Sequence, residues 1–373
     1  MSTAPRTIGP YTILDELGEG GMAVTWRARE AIAGVGGTRV VALKQIRPEF
    51  AHDPEFRRMF LDEARLSSQI NHQNICRTYA AGEVDGTLFM AMEFVDGTDL
   101  WHLMHQAEKL DGGFPLPHAL AICEMILAGL QSAHDLRGDD GQLLNLVHRD
   151  ISPQNILLSR QGEVKIIDFG VAKAQSNTVK TQAGMVKGKV LYFSPEQLNG
   201  QPLDGRSDLF AVGLILYELV CGLHPLRGNS DIETIFNYVN RTIAPPLDLR
   251  PDLPPVVSAL VMRSLARDRD QRFPNADLMG RAVADALFQV YPSYQRYLLR
   301  DFLGWALDEP DQAPYLIPAA KRSDHLSPST PPPIPPSTPE RSPRRTPPPA
   351  TPWPTPPIRG EPAPTLAPSI RSA

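Results

Sequence analysis

Hydrophobic and polar residues alternate from Tyr11 to Leu17 and again from Thr25 to Arg29, and Val40–Lys44 is mostly apolar, which predicts three short strands near the amino terminus. The stretch G-E-G-G-M-A-V, Gly18 to Val24, joins the first two, and a glycine-rich loop, Ala31 to Thr38, joins the second to the third. The period then changes. Between Asp53 and Ile70, Phe56, Phe60, Ala64 and Leu66 form one apolar face of a helix. Leu88–Met92 reads as another strand and Leu116–Leu136 as a long apolar helix. Ile156–Leu158 and Val164–Ile167 form a hairpin that turns at Gln161–Gly162. Asp208–Leu219 is a buried helix, and Ile232–Val239, Val256–Ala266 and Asn275–Gln289 are further helices. Tyr294, Tyr297, Leu298, Phe302, Trp305 and Leu307 are spaced like one more amphipathic helix within Pro292–Ala319. Strands gather early and helices late, so the fold class is α+β.

Composition changes this picture at one end. Of the 38 prolines in 373 residues, 18 follow Leu326. From about Pro318 the chain is Pro, Ser, Thr and Arg, too poor in apolar residues to bury a core, and reads as disordered or polyproline-like. Its Ser-Pro and Thr-Pro pairs and the Pro336-x-x-Pro339 step are candidate docking or phosphorylation sites, against the plainer reading of a solvated tail. A net charge of −5 gives no footprint for nucleic acid. Cys76, Cys123 and Cys221 are odd in number, far apart and without metal spacing, as expected of buried thiols in a reducing cytoplasm. The opening M-S-T-A-P-R-T-I-G-P lacks the apolar core of a signal peptide. Leu209–Cys221, interrupted by Gly213 and Glu218, is too short to span a bilayer, so a soluble, cytoplasmic protein with no membrane segment is expected.

The chemistry concentrates in V-H-R-D-I-S-P-Q-N-I-L-L-S-R-Q-G-E-V-K-I-I-D-F-G, Val147 to Gly170. A hairpin this short brings its ends together, so Asp150, Asn155 and Asp168 should converge. One carboxylate can accept a proton, while Asn155 and Asp168 offer the hard oxygen ligands that Mg²⁺ prefers. That is a place for a metal-bound polyphosphate beside a general base.

H-R-D-x-x-x-x-N at His148–Asn155, followed by D-F-G at Asp168–Gly170, resembles the catalytic core of bacterial eukaryotic-like serine/threonine protein kinases. The resemblance covers roughly Tyr11 to Val290. It implies a bilobal fold, with a small N-lobe over about 11–92, a hinge at 93–97 and a mostly helical C-lobe over about 98–290. A helical extension at 291–317 and the tail at 318–373 would follow. The implied activity is transfer of the γ-phosphate of ATP, with Mg²⁺, to Ser/Thr hydroxyls of protein substrates. The pattern G-x-G-x-x-G-x-V is met at Gly18 and Gly20, with Ala23 at its third glycine. The resemblance thus places Leu17, Gly18, Glu19, Gly20, Gly21, Met22, Ala23 and Val24 over the nucleotide. Lys44, in V-A-L-K, is the implied partner of the α- and β-phosphates. Glu63, in F-L-D-E-A, would hold that lysine, with Asp62 and Glu55 as rivals. Backbone groups of Glu93 and Val95 would meet adenine, Met92 would gate the pocket, and Val24, Ala42 and Leu157 would sandwich the base. Asp150 would take or orient the substrate proton, and Asn155 and Asp168 would hold the metal. Asp208 would brace the catalytic loop, and Arg272 would pair with Glu196 of S-P-E, which replaces the family's A-P-E.

Two departures matter. The family's D-x-K-P-x-N is D-I-S-P-Q-N here, with Ser152 in place of lysine, and G-T-x-x-Y-x-x-P-E is G-K-V-L-Y-F-S-P-E, with Lys189 in place of threonine. Either Lys189 supplies the ammonium group that Ser152 lacks, or the two positions drifted independently. Tyrosine specificity is the other reading of a missing lysine, although neither A-A-R-N nor R-A-A-N occurs. Arg149 before Asp150 goes in the family with activation-loop phosphorylation, for which Thr181, then Thr178 and Ser176, are the candidates. The rival from another class is a pseudokinase scaffold that binds nucleotide and recruits a partner through the Pro-rich tail.

Overall fold

The computed structural model describes residues 6–32, 36–107, 113–169 and 189–308. The chain divides into two units, Met1–Arg322 and Ser323–Ala373, and every described residue belongs to the first. That unit has a β-rich lobe followed by a helical one. The first lobe is a six-stranded antiparallel sheet of β1 (Thr7–Ile8), β2 (Tyr11–Glu19), β3 (Ala23–Ile32), β4 (Gly37–Ile46), β5 (Thr78–Val84) and β6 (Thr87–Glu93), in the order β1-β2-β3-β4-β6-β5. The β3–β4 ladder runs without a break from Ala23 opposite Ile46 to Ile32 opposite Gly37. Of the expected loop at Ala31–Thr38, the first two and last two residues are therefore strand, and the glycine turn shrinks to residues 20–22. Ladder bonds use the backbone, so pairing continues past the point where side-chain alternation fades.

One face of this sheet buries Tyr11, Ala28, Val41, Leu43, Phe89 and Ala91. A second cluster gathers Ile46, Leu88 and Met90 with Ala51 of α1 (Pro48–Ala51) and Phe60 and Ala64 of α2 (Pro54–Gln69). Pro54 fits the first turn of α2, and the Asp53 carboxylate accepts the backbone N–H groups of Glu55 and Phe56.

The second lobe has one continuous core. Its elements are β7 (Gly97–Asp99), α3 (Leu100–Ala107), α4 (Leu116–His134), β8 (Ile156–Ser159), β9 (Val164–Ile166), α5 (Pro195–Leu198), α6 (Arg206–Cys221), α7 (Asp231–Asn240), α8 (Pro246–Leu249), α9 (Pro255–Ser264), α10 (Ala276–Val290) and α11 (Arg296–Asp308). Helix α4 has the length and apolarity of a membrane span, but it lies in this core against α6 and α10. The antiparallel sheet β7-β8-β9 carries the hairpin. Helix α11 packs on α4 and β8 and buries Leu299, Leu303 and Ala306. Phe302 stacks on His118, whose Nδ1 lies 2.9 Å from the Tyr294 hydroxyl, and Arg160 is ion-paired with Asp308.

The lobes are stitched behind the hinge. The segment after α2 sends Asn74 Nδ2 to Val164 O and Cys76 N to Ile166 O, both at 2.9 Å, and Asn74 O accepts Ile166 N. Whatever holds 72–77 therefore also positions the strand leading to Asp168.

Candidate active site

The segment 147–155 is irregular, and its backbone groups need partners from elsewhere. Asp208, in the first turn of α6 and 1% exposed, supplies them: its carboxylate accepts His148 N and Arg149 N at 2.9 Å and lies 2.8 Å from His134 Nε2. Burial pushes the Asp208 carboxyl up, but the His134 hydrogen bond and charge, with the His148 backbone N–H, outweigh it and leave it below the usual aspartate value. His134 gave no functional signal in the sequence. Its ring sits where a Cβ at Gly205 would approach Nδ1 to 2.6 Å, so D-G-R-S-D needs its glycine. His148 is fully buried; Nε2 lies 3.0 Å from Ile167 O, and Nδ1 accepts Asp150 N. A carbonyl only accepts, so these two bonds together require the neutral ring with its proton on Nε2. Burial, the largest influence, lowers its pKa in the same sense. Arg149 and Asp168 hold left-handed backbone, φ 68° and 56°, which costs a non-glycine residue about 1 kcal/mol or more and survives only where surroundings enforce it.

These constraints bring the chemistry together. Asn155 Nδ2 donates to Asp150 O at 2.7 Å, and Asn155 O accepts Ile167 N at 3.0 Å. From the other lobe, Lys44 Nζ lies 2.6 Å from Asp168 Oδ1 and 3.2 Å from Glu63 Oε1. Burial pulls the Lys44 ammonium down, but Asp168 and then Glu63 outweigh it, so Lys44 stays charged. Burial raises the Glu63 carboxyl. Lys44 is thus shared between two carboxylates, of which Asp168 has its side chain 36% exposed. With the amide nitrogen of Asn155 engaged, its oxygen is left for a cation. Among the described residues no three His, Cys, Asp or Glu side chains form a metal cage. A two-ligand set completed by phosphate oxygens is how Mg²⁺ is ordinarily held, so these residues fit that ion.

The sheet register decides which expected nucleotide contacts face this cluster. Directly opposed residues of an antiparallel pair share a face. Ala42 opposes Met92, and Lys44 opposes both Met90 and Thr25. Val24 opposes Gln45, one step out of phase, so it points away from the Lys44 face. The expectation that Val24 covers adenine is therefore corrected, and Thr25 holds the inward position. Leu157 is half-buried between fully buried Ile156 and Leu158, and it opposes Asp99 and Lys165. The glycine turn closes through Gly20 N to Ala23 O at 2.8 Å, Arg47 N bonds Met22 O, and Glu19 pairs with Arg47. Leu17 and Met22 are exposed, and a Cβ on Gly18 or Gly21 would meet no protein atom within 4 Å. At the hinge Glu93 ends β6 beside half-buried Val95, and Glu93 O accepts the Cys76 thiol at 3.4 Å. Lys165, buried and 2.6 Å from Glu93 Oε1, was invisible to sequence reasoning because a strand lysine ordinarily faces water.

The family profile "Protein kinase domain" matches residues 11–282. The chain belongs to the protein kinase family. It is 38% identical to "Tyrosine-protein kinase MasK" of Myxococcus xanthus over 75% of this chain and 42% of that protein. To "Serine/threonine-protein kinase PrkC" of Bacillus subtilis it is 34% identical, over 77% of this chain and 42% of that protein. Among solved structures, the kinase domain of PknI from Mycobacterium tuberculosis superposes with a TM-score of 0.56 at 28% identity, covering 76% of this chain and 99% of that one. The chain thus spans about two fifths of these curated relatives' length. Its place is in the bacterial eukaryotic-like branch.

The rest of the kinase architecture surrounds the cluster. Glu196, in the short helix α5 capped by Ser194, meets Arg272 at 2.7 and 2.8 Å. Gln197 Nε2 donates to Arg149 O at 2.8 Å, joining this element to the catalytic loop. Ser152 is half-buried in extended backbone. Lys189 opens a 3-10 turn, Lys189–Tyr192, but its side chain lies outside the described residues, as do Ser176, Thr178 and Thr181.

Proposed function

We propose that this kinase transfers the γ-phosphate of ATP to serine or threonine hydroxyls of proteins. The observation that carries the reading is Lys44 bridging Glu63 and Asp168 from one lobe to the other, beside Asp150 and Asn155 on one braced loop. Phosphoryl transfer asks a protein mainly for positioning and charge neutralisation, and each part of the cluster has such a task. Lys44 orients the α- and β-phosphates. Asp150 takes or orients the substrate hydroxyl proton. Ala42, Met92 and Leu157 enclose the base, with Thr25 at the inner edge of the glycine turn. Asn155 and Asp168 would hold Mg²⁺, which when bound would supply charge neutralisation. Lys189 replaces the ammonium group missing at Ser152; Lys189→Thr should then abolish turnover and Ser152→Lys should partly restore it. Thr181 or Thr178 takes an activating phosphate that pairs with Arg149. The protein works in the cytoplasm, and the tail at 318–373 is a separate recruiting arm for a protein partner.

The name of the Myxococcus relative favours tyrosine as a second acceptor class. One experiment separates the readings. Purified protein is incubated with labelled ATP and Mg²⁺ beside an Asp150→Asn variant, and the phosphoamino acids are analysed. Label on phosphoserine or phosphothreonine, absent from the variant, supports the proposal. Label on phosphotyrosine alone overturns the acceptor assignment, and no label after treatment with an active relative favours the scaffold.

A further inference from the structure

The Lys165–Glu93 contact is a second cross-lobe ion pair, joining β9 to the end of β6. The Lys165 side chain is 8% exposed, so its ammonium cannot reach water by stretching. An unpaired ammonium in that position is costly, and an apolar residue would fill the space without needing a partner. Glu93 is held at every polar atom. Its N–H donates to Arg77 O at 2.8 Å, its carbonyl accepts the Cys76 thiol, its Oε2 accepts Arg77 N at 3.2 Å, and its Oε1 meets Lys165 at 2.6 Å. Three of these bonds stay with the neighbouring segment 76–77. The fourth goes to β9, three residues before Asp168, a distance of about 10 Å along an extended chain. Burial, followed by Glu93 and Asp168, pushes the Cys76 thiol up to about 12, so Cys76 is a neutral donor and brings no competing charge to the pair.

Resting on the nucleotide-site reading above, we infer that Lys165 and Glu93 are a positioning pair that fixes the spacing between the hinge and Asp168, and so matters for ligands that touch both. The pair coexists with Lys44–Glu63 and Lys44–Asp168, so it supports the same arrangement of the lobes. Adenosine engages only the hinge end of the site, whereas ATP with Mg²⁺ engages the hinge and Asp168 together.

The test is calorimetric titration of the full chain with Mg²⁺·ATP and, separately, with adenosine, alongside thermal melting. Lys165→Met should raise the Kd for Mg²⁺·ATP about tenfold and leave that for adenosine within about twofold. Lys165→Arg should restore most of the ATP affinity. In the double variant Lys165→Met/Glu93→Gln, which leaves no unpaired charge, the melting temperature should return while ATP affinity does not. If ATP and adenosine weaken equally, or ATP affinity returns with the melting temperature, the pair only stabilises the fold and the inference is wrong. If the unmutated chain binds neither ligand, the nucleotide-site reading itself fails and takes this inference with it.

Discussion

Two of the cation–carboxylate clusters among the described residues are built on opposite plans. In the helical lobe, Arg272 is 2% exposed and all five of its N–H donors are used: on Ala266 O, Arg206 O, Arg267 O and both oxygens of Glu196. Glu196 also accepts the Ser207 hydroxyl at 2.7 Å. Charge and hydrogen bonding balance there, and nothing is left for a ligand. At the cleft, Lys44 stands between two carboxylates, with a third, Asp150, on the adjacent loop. That cluster opens to solvent at Asp168, whose side chain is 36% exposed. Saturation of a buried charge holds a fold; carboxylates gathered at an exposed edge are a place for a cation and a polyphosphate.

The sharpest way to break this contrast is to change one member of each cluster. Asp168→Asn should cut phosphoryl transfer by about 10³-fold or more while thermal melting stays within a few degrees. A variant that kept a tenth of the activity would remove Asp168 from the functional side of the comparison. Arg272→Met should do the reverse. It strands a buried carboxylate and should cost about 3–5 kcal/mol in urea unfolding, with Arg272→Met/Glu196→Gln recovering part of the loss.

A pH series sharpens the comparison within the helical lobe. Burial lowers His118 to about 4 and, together with Arg227, lowers His224 to about 3. Both folded values lie below the ordinary 6.5, so the stabilisation from neutral imidazole is complete above pH 6.5 and lost as pH falls toward 4. For His118 that loss is on the order of 3 kcal/mol, and it should loosen α11, which His118 anchors through Phe302 and Tyr294. Glu196 and Asp208 behave differently. Burial raises them, but Arg272 and His134 respectively outweigh it, so both are depressed and their stabilisation is lost only below their ordinary values of 4.5 and 3.8. Acid should therefore weaken the surroundings of His118 and His224 first and the Glu196 and Asp208 braces later, seen for α11 as earlier hydrogen exchange in 296–308 at pH 5. His118→Phe, which keeps the stack on Phe302, should flatten the first phase. The smallest effect belongs to the cap of α2. Asp53→Ala should cost about 1 kcal/mol and lower turnover only a few-fold, because Glu63 lies well inside the helix.

Much of the fold was legible because it rests on local chemistry. The 3.6 period of Phe56, Phe60 and Ala64, the Asp53–Pro54 start, and the hairpin around Gln161–Gly162 are properties of neighbouring residues, and the structure has α2, β8 and β9 there. The catalytic motif was legible for a related reason: Asp150 and Asn155 sit on one short segment whose spacing sets their distance. Even so, local alternation ended the strands too early at Ala31–Thr38.

Other features depend on partners far along the chain. His134 meets Asp208 across 74 residues, Lys44 meets Asp168 across 124, and Lys165 meets Glu93 from another sheet. No spacing rule reaches that far, because such contacts are set by how lobes and helices pack. The inward position of Thr25 is different: counted from Gly18, Gly20 and Ala23, the last position of G-x-G-x-x-G-x-V falls on Thr25 rather than Val24, and the strand register agrees. The sequence by itself therefore determined which elements form and which residue types could do chemistry. Tertiary structure alone decided which charges are saturated, which face the cleft, and which hidden side chains hold them in place.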